Sequence, residues 1–338
     1  MRPVRCRLGP SVFWIVLGAL TCSVPRARAQ SCQTLDDLDD ATRSAITGAA
    51  RRYFDMAVKG DAASLRQNSI PSLAGDFGVV EADVKEHQQD LSSAQTSPKA
   101  VYLLEAEGSA PLAHGEFYCG VFGKNGQTAG SAEFFLDNLQ PGKYAIVILD
   151  AASPKGHTNF SLVLQQTGSD WKLGNLKIKS LQVAGHDSGW FAARAREYKT
   201  KGQVHNAWLY YLEANSLISP LPFMSTQATD RLYDEFQGVQ PADIPSNGKT
   251  ADLAAGTTTY KLTSLFPAAV GDDLDLILKY QAADVSDTNA AYQTNVAVIK
   301  ALAAKFPELR DAFAAVVARA VDPSGHDFGT LLAMKDIK

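Results

Sequence analysis

Histidine and cysteine are the side chains of this 338-residue sequence best suited to metal binding, proton transfer or nucleophilic attack, and there are six of one and four of the other. His87, His114, His157, His186, His205 and His326 are scattered along the chain. None falls in an H-E-x-x-H arrangement, where two imidazoles four residues apart share a helix face and a metal. His157 (Lys155-Gly156-His157) and His326 (Ser324-Gly325-His326-Asp327) sit in turn sequences and read as exposed turn residues, while His205 reads as facing solvent or capping a contact. No C-x-x-C pair, G-x-S-x-G elbow or Gly-rich phosphate loop occurs. The acidic runs Asp36-Asp37-Leu38-Asp39-Asp40 and Gly271-Asp272-Asp273-Leu274-Asp275 lack the spacing and terminal Glu of a calcium loop. The first places charge before a helix N-terminus, which the helix dipole favours, and the second opens a strand. The motifs name no catalytic residue, metal or cofactor.

Export is what the sequence states most directly. Arg2, Arg5 and Arg7 precede an apolar run from Ser11 to Val24, followed by Pro25 and Ala27-Arg28-Ala29. This is the pattern of a secretory signal peptide over 1–29, with cleavage after Ala29, and the run is short for a bilayer span, which takes about 20 residues. Removing its five arginines leaves 27 basic against 36 acidic residues, a net charge of −9. An acidic chain without a basic block excludes nucleic acid as a partner; Arg194, Arg196, Lys199 and Lys201 read as a solvated helix face. No later stretch is long and apolar enough for a transmembrane span. Cys22 follows Ala19-Leu20-Thr21, and Thr21 departs from a lipid-attachment pattern. Two cysteines remain after cleavage. An exported setting permits a Cys32–Cys119 disulfide, closing a loop of roughly 86 residues worth about 4 kcal/mol; two free thiols, Cys119 a small buried residue on a strand, is the other reading.

The elements follow from periodicity. Ile46, Ala49, Ala50, Tyr53, Phe54 and Ala57 recur at helical spacing, Gly60 ends that helix, and Asp61 caps a second. A third helix falls within 74–95. From Lys99 the period becomes that of strands, over 100–106, 115–123, 128–137, 143–151, 158–167 and 170–179, with turns at Asn125-Gly126, Pro141-Gly142 and Gly168-Ser169-Asp170. Tyr144, Ile146 and Ile148 alternate with Ala145, Val147 and Leu149, so this strand is expected to be covered on both faces.

The helix Ala50-Arg51-Arg52-Tyr53-Phe54-Asp55-Met56-Ala57-Val58 running into Lys59-Gly60-Asp61, with the hairpin Phe160-Ser161-Leu162-Val163-Leu164 to Asp170-Trp171-Lys172-Leu173, resembles the two ends of a nuclear transport factor 2-like domain. The resemblance covers about 38–180. It implies a cone-like, curved antiparallel sheet with N-terminal helices, and a pocket between the first helix and the sheet. Tyr53, Tyr144 and Trp171 would line that pocket, with Asp137 or Asp150 as the acid that enzymes of this superfamily keep in apolar surroundings. The turn Asn138-Leu139-Gln140-Pro141-Gly142-Lys143-Tyr144 also resembles those of transthyretin-like β-sandwiches.

After Lys179 the helical period returns. Phe191, Arg194, Ala195, Tyr198, Ala207, Tyr211 and Pro220 resemble one tetratricopeptide repeat over about 190–220, with Phe191 for the usual Trp and Arg194 for the usual Leu. One helical pair cannot bury its own apolar face, and the preceding sheet is its expected neighbour. Residues 237–257 read as a linker or long loop before a C-terminal α+β module over 258–338. That module should hold a strand over 275–281, a helix through Tyr292 to Phe306, and strands 316–321 and 328–334. The expected organisation is α+β throughout: 35–182 cone-like, 185–236 helical, 258–338 α+β. The expected function is that of an exported, non-enzymatic protein binding a small ligand or protein partner. A hydrolase or isomerase using the cone pocket is the alternative.

Overall fold

The computed structural model of the protein describes residues 30–246 and 248–338. The signal segment, Cys22 included, lies outside the described residues. Their architecture is α+β, with helices and several largely antiparallel sheets. Strand β1 (Gln30–Thr34) leads into α1 (Asp40–Val58), whose N-terminus is closed by the Asp39 carboxylate accepting from the Thr42 amide at 2.9 Å. Gly60, at φ 67°, turns the chain into α2 (Ala62–Gln67), capped by Asp61. Then come α3 (Pro71–Gly75), which starts on its proline, and α4 (Gly78–Leu91).

Six strands follow: β2 (Gln95–Ala106), β3 (Leu112–Cys119), β4 (Ala132–Leu139), β5 (Gly142–Ser153), β6 (Gly156–Thr167) and β7 (Asp170–Ser180). Four of them join β1 in an antiparallel sheet of order β1-β2-β5-β6-β7. The middle strand β5 is covered on both faces. Ala145, Val147 and Leu149 pack beneath α1–α4 with Phe160 and Trp171, whereas Tyr144, Ile146 and Ile148 meet Phe117 and Phe134 of β3 and β4. Strands β3 and β4 therefore leave the main sheet and build a second one. The strands expected at 115–123 and 128–137 are shortened and shifted because Gly120, at φ 80°, ends β3. A Cβ there would collide with the Gly130 carbonyl oxygen. The Asn125-Gly126 turn closes inside this 120–131 excursion, with Gly123 N donating to Gly126 O at 2.9 Å. Cys32 of β1 and Cys119 of β3 form a disulfide (Cα–Cα 5.0 Å) that ties the two sheets at their edges.

The tiny hairpin β8 (Gln182–Val183) and β9 (His186–Asp187) precedes α5 (Ser188–Thr200) and α6 (Val204–Ile218), which turn at Gly202. Strand β10 (Met224–Thr226) then returns to the small sheet, order β10-β4-β3, before α7 (Gln227–Gln237). The last sheet has order β11-β12-β13-β14-β15, from β11 (Ala251–Ala255), β12 (Thr258–Val270), β13 (Asp273–Gln281), β14 (Ala315–Val321) and β15 (Asp327–Ala333). Only β13 and β14 run parallel within it, joined through α8 (Thr288–Lys305) as a parallel crossover requires.

Two expectations are corrected here. The helical pair does not bury its main apolar face on the preceding sheet: Phe191, Ala195, Tyr210 and Leu217 share a core with Leu278, Phe306 and Phe313 of the C-terminal module. Ring hydroxyls reinforce that docking, Tyr198 donating to the Asp311 carbonyl at 2.9 Å and Tyr210 to the Ala312 carbonyl at 2.7 Å. The stretch 237–257 is not a free linker, because Val239 and Ile244 are buried and β11 pairs with β12. Its prolines and glycines turn the chain without freeing it. Replacing both Cys32 and Cys119 by Ser should lower unfolding free energy by about 4 kcal/mol in urea titrations; an unchanged midpoint would remove the disulfide from the account of stability.

Candidate functional site

The residues expected to line the cone pocket do not meet in one place. Tyr53 is fully buried, its hydroxyl 2.9 Å from both the Asn68 and Trp171 carbonyl oxygens, and burial pushes its phenol above the ordinary value. Tyr53 and Trp171 thus pin α1 to β7 and belong to a filled core with Phe54 and Phe160, whose rings meet edge to face at 5.1 Å. Tyr144 points to the opposite face of β5, where its hydroxyl donates to the Gln140 carbonyl at 2.8 Å. Asp137 lies on β4, exposed and 2.7 Å from His114 Nδ1. Asp150, at the end of β5, sits 3.0 Å from His157 Nδ1. Neither carboxylate faces Tyr53. The sequence carries the correct alternation for these positions, but a strand paired into a different sheet takes its acid with it.

An open space does occur between α1 and the main sheet, further toward the helix N-terminus. It is a groove of about 340 Å³ lined by Ser44, Thr47, Gly48 and Arg51 of α1, Thr96 and Pro98 of β2, and Val147 and Leu149 of β5. The four α1 residues are spaced i, i+3, i+4, i+7, so they form one stripe of the helix. The apolar stripe Ile46, Ala49, Ala50, Tyr53 lies beside it and buries against the sheet. Gly48 keeps the groove open, since a Cβ built there meets nothing within 4 Å. On the strand side, β1 pairs only with Tyr102–Ala106 of β2, which leaves the first half of β2 as an edge. Pro98 sits on that edge, where its missing N–H costs no ladder bond, and the register slips between Pro98 and Ala100. Val147 and Leu149 form a buried apolar floor. The signal for this site was the run Ser44-x2-Thr47-Gly48-x2-Arg51, small and polar where a fully packed helix would carry bulk.

Two further polar clusters lie around α6. His205 bridges Glu308 Oε1 (2.6 Å from Nδ1) and Asp243 Oδ1 (2.9 Å from Nε2), holding the 238–250 segment and the turn at 307–311 to the helix. Burial resists charge on Asp243, but the His205 hydrogen bond and charge hold its carboxyl below the usual carboxylate range. Glu213 is buried against β7, and desolvation pushes its carboxyl up to about 7, opposed by the nearby Lys179 charge. The Lys179 ammonium, lowered chiefly by burial, donates to the Ser219 carbonyl at 3.2 Å. Both clusters hold elements together rather than line an opening. Among the described residues no group of three His, Cys, Asp or Glu side chains gathers as a metal site, and no helix is long and apolar enough to cross a membrane.

Because Glu213 has a folded pKa above its unfolded value, the native state holds an extra proton between about pH 4.5 and 7, and stability falls as pH rises through that window. Glu213→Gln should therefore gain about 3 kcal/mol over the parent protein at pH 8, and little at pH 4.5. Urea midpoints at the two pH values test this; a gain independent of pH would reject it.

Comparison of the chain with family models, with curated proteins and with solved structures gave no match.

Proposed function

We propose that the protein is an exported, non-enzymatic binding protein that takes a small, largely apolar molecule into the groove between α1 and the β2–β5 edge. The groove itself carries this reading: a buried apolar floor, Val147 and Leu149, walled on one side by a helix stripe that Gly48 keeps free of side-chain bulk. Ligand sites are concave and mostly apolar, with a few polar groups that orient the guest. No carboxylate, imidazole or thiol lines this one. The Thr47 hydroxyl is already engaged with the Arg43 carbonyl at 2.8 Å. Ser44 and Thr96 offer hydroxyls, but no base lines the groove to activate them or to move a proton, which disfavours the hydrolase or isomerase alternative. Export is supported by the signal-like run over 1–29 and by the Cys32–Cys119 disulfide, since such bonds persist in oxidising compartments. The opening helices over a bulged sheet support placing 35–182 with nuclear transport factor 2-like proteins, and the α5–α6 turn at Gly202 supports the tetratricopeptide-like reading.

Substitutions at Gly48 separate stability from binding. Gly48→Ala should raise stability by about 1 kcal/mol, because an exposed helix-interior glycine carries excess backbone entropy in the unfolded chain. Gly48→Leu should keep that stability and fill the groove. The fluorescence enhancement of the neutral apolar dye N-phenyl-1-naphthylamine should then be strong with the parent protein and largely lost with Gly48→Leu. Equal enhancement by both proteins would reject the groove as the binding site.

A further inference from the structure

Arg51 is the one charged residue lining the groove. Among the described residues it makes no hydrogen bond or ion pair, whereas seven of the nine described arginines are tied to carbonyl or carboxylate oxygens. Arg231, the other unengaged one, lies on α7 outside the groove. The neighbouring Arg52 shows the ordinary fate of an α1 arginine: it reaches back to the Trp171 carbonyl and lies 5.3 Å from the Tyr53 ring centroid. Arg51 has an acidic residue one turn later on its own helix, Asp55, yet no ion pair joins them. A guanidinium presents a planar fork of donors that matches a carboxylate with two parallel hydrogen bonds.

The other lining residues fix what such a ligand must carry besides its charge. From Ser44 to Arg51 the stripe runs about 10 Å along the helix. Opposite it lie Pro98, Val147 and Leu149, with only the Thr96 hydroxyl as a polar side chain on the strand wall. Charge at one end and apolar surface along the rest describe an amphiphile. We infer that the groove selects an amphiphilic carboxylate, its head on the Arg51 guanidinium and its hydrocarbon body along Pro98 and Leu149. This rests on the groove being the binding site, and it adds the class of ligand. A cationic amphiphile is disfavoured, because the lining offers it no carboxylate and sets a fixed positive charge at the mouth.

Titration calorimetry with monomeric decanoate and decanol, matched in chain length and differing in charge, tests the inference. The parent protein should bind decanoate about tenfold more tightly than decanol, as one charge-assisted bidentate contact permits. Added salt should weaken decanoate alone. Arg51→Gln should erase the preference for decanoate over decanol, and Arg51→Lys should keep part of it. Gly48→Leu should abolish both ligands while its thermal unfolding stays cooperative. Equal affinities for the two ligands in the parent protein, both lost in Gly48→Leu, would overturn the carboxylate class and leave the groove standing. Binding of neither ligand, or binding indifferent to Gly48→Leu, would overturn the groove reading and the inference with it.

Discussion

Burial around nearly the whole circumference of α6 is the constraint on which the rest of the molecule depends. Surface helices bury one stripe; this one buries Asn206, Trp208, Tyr210, Tyr211, Glu213 and Leu217, which point in all directions. Such a helix exists only with partners on every side. It finds them in α5, in α7 through Tyr211 and Glu235, in the 306–313 turn through Asn206 and Tyr210, and in β7 through Glu213 and Lys179. The helix belongs to the core of the C-terminal module and reaches the first unit through Glu213 and Lys179.

Polar groups go where this packing forces them. A carboxyl as deeply buried as Glu213 is costly as an anion, and a neighbouring lysine that is itself desolvated offsets only part of that. His205 presents a different solution, with two carboxylates supplied by two separate segments and a single imidazole joining them. Geometry of this kind specifies which segments meet more than it adds stability. The chemistry around α6 is therefore architectural, whereas in the groove by α1 polar groups are sparse and Arg51 is unengaged.

Local signals were legible in the sequence and long-range pairing was not. Gly60, Asp61, Gly202 and Pro307 punctuate helices where their backbone chemistry says they should. The two-faced apolarity of β5 announced a strand covered on both sides. That β3 and β4 belong to another sheet is invisible in their alternation, which is the same in either sheet; nor does periodicity encode the close approach of Gly120 to Gly130 that ends β3. The same gap displaced the candidate site. Asp137 and Tyr144 stand seven residues apart with plausible pocket chemistry, yet one is exposed beside His114 and the other is buried beneath a second sheet. The docking of α5–α6 is not legible because an apolar helix face does not name its partner; the shared core and the hydroxyls on the 311 and 312 carbonyls do.

Strand β10 carries a consequence for how the chain is made. Met224–Thr226 pairs with Ala132–Phe134 of β4, and the Phe135 amide donates to the Phe223 carbonyl. The small sheet is thus completed by residues that leave the ribosome some ninety positions after β4 itself. Until they arrive, a growing chain that has already formed β3 and β4 carries an open strand edge beside Tyr118 and Phe135, two of its exposed aromatic side chains. Unpaired edges of that kind recruit foreign strands. A chain cut or stalled between β7 and β10 would retain its disulfide-linked first unit while remaining adhesive. Such a fragment would be covalently locked and one strand short.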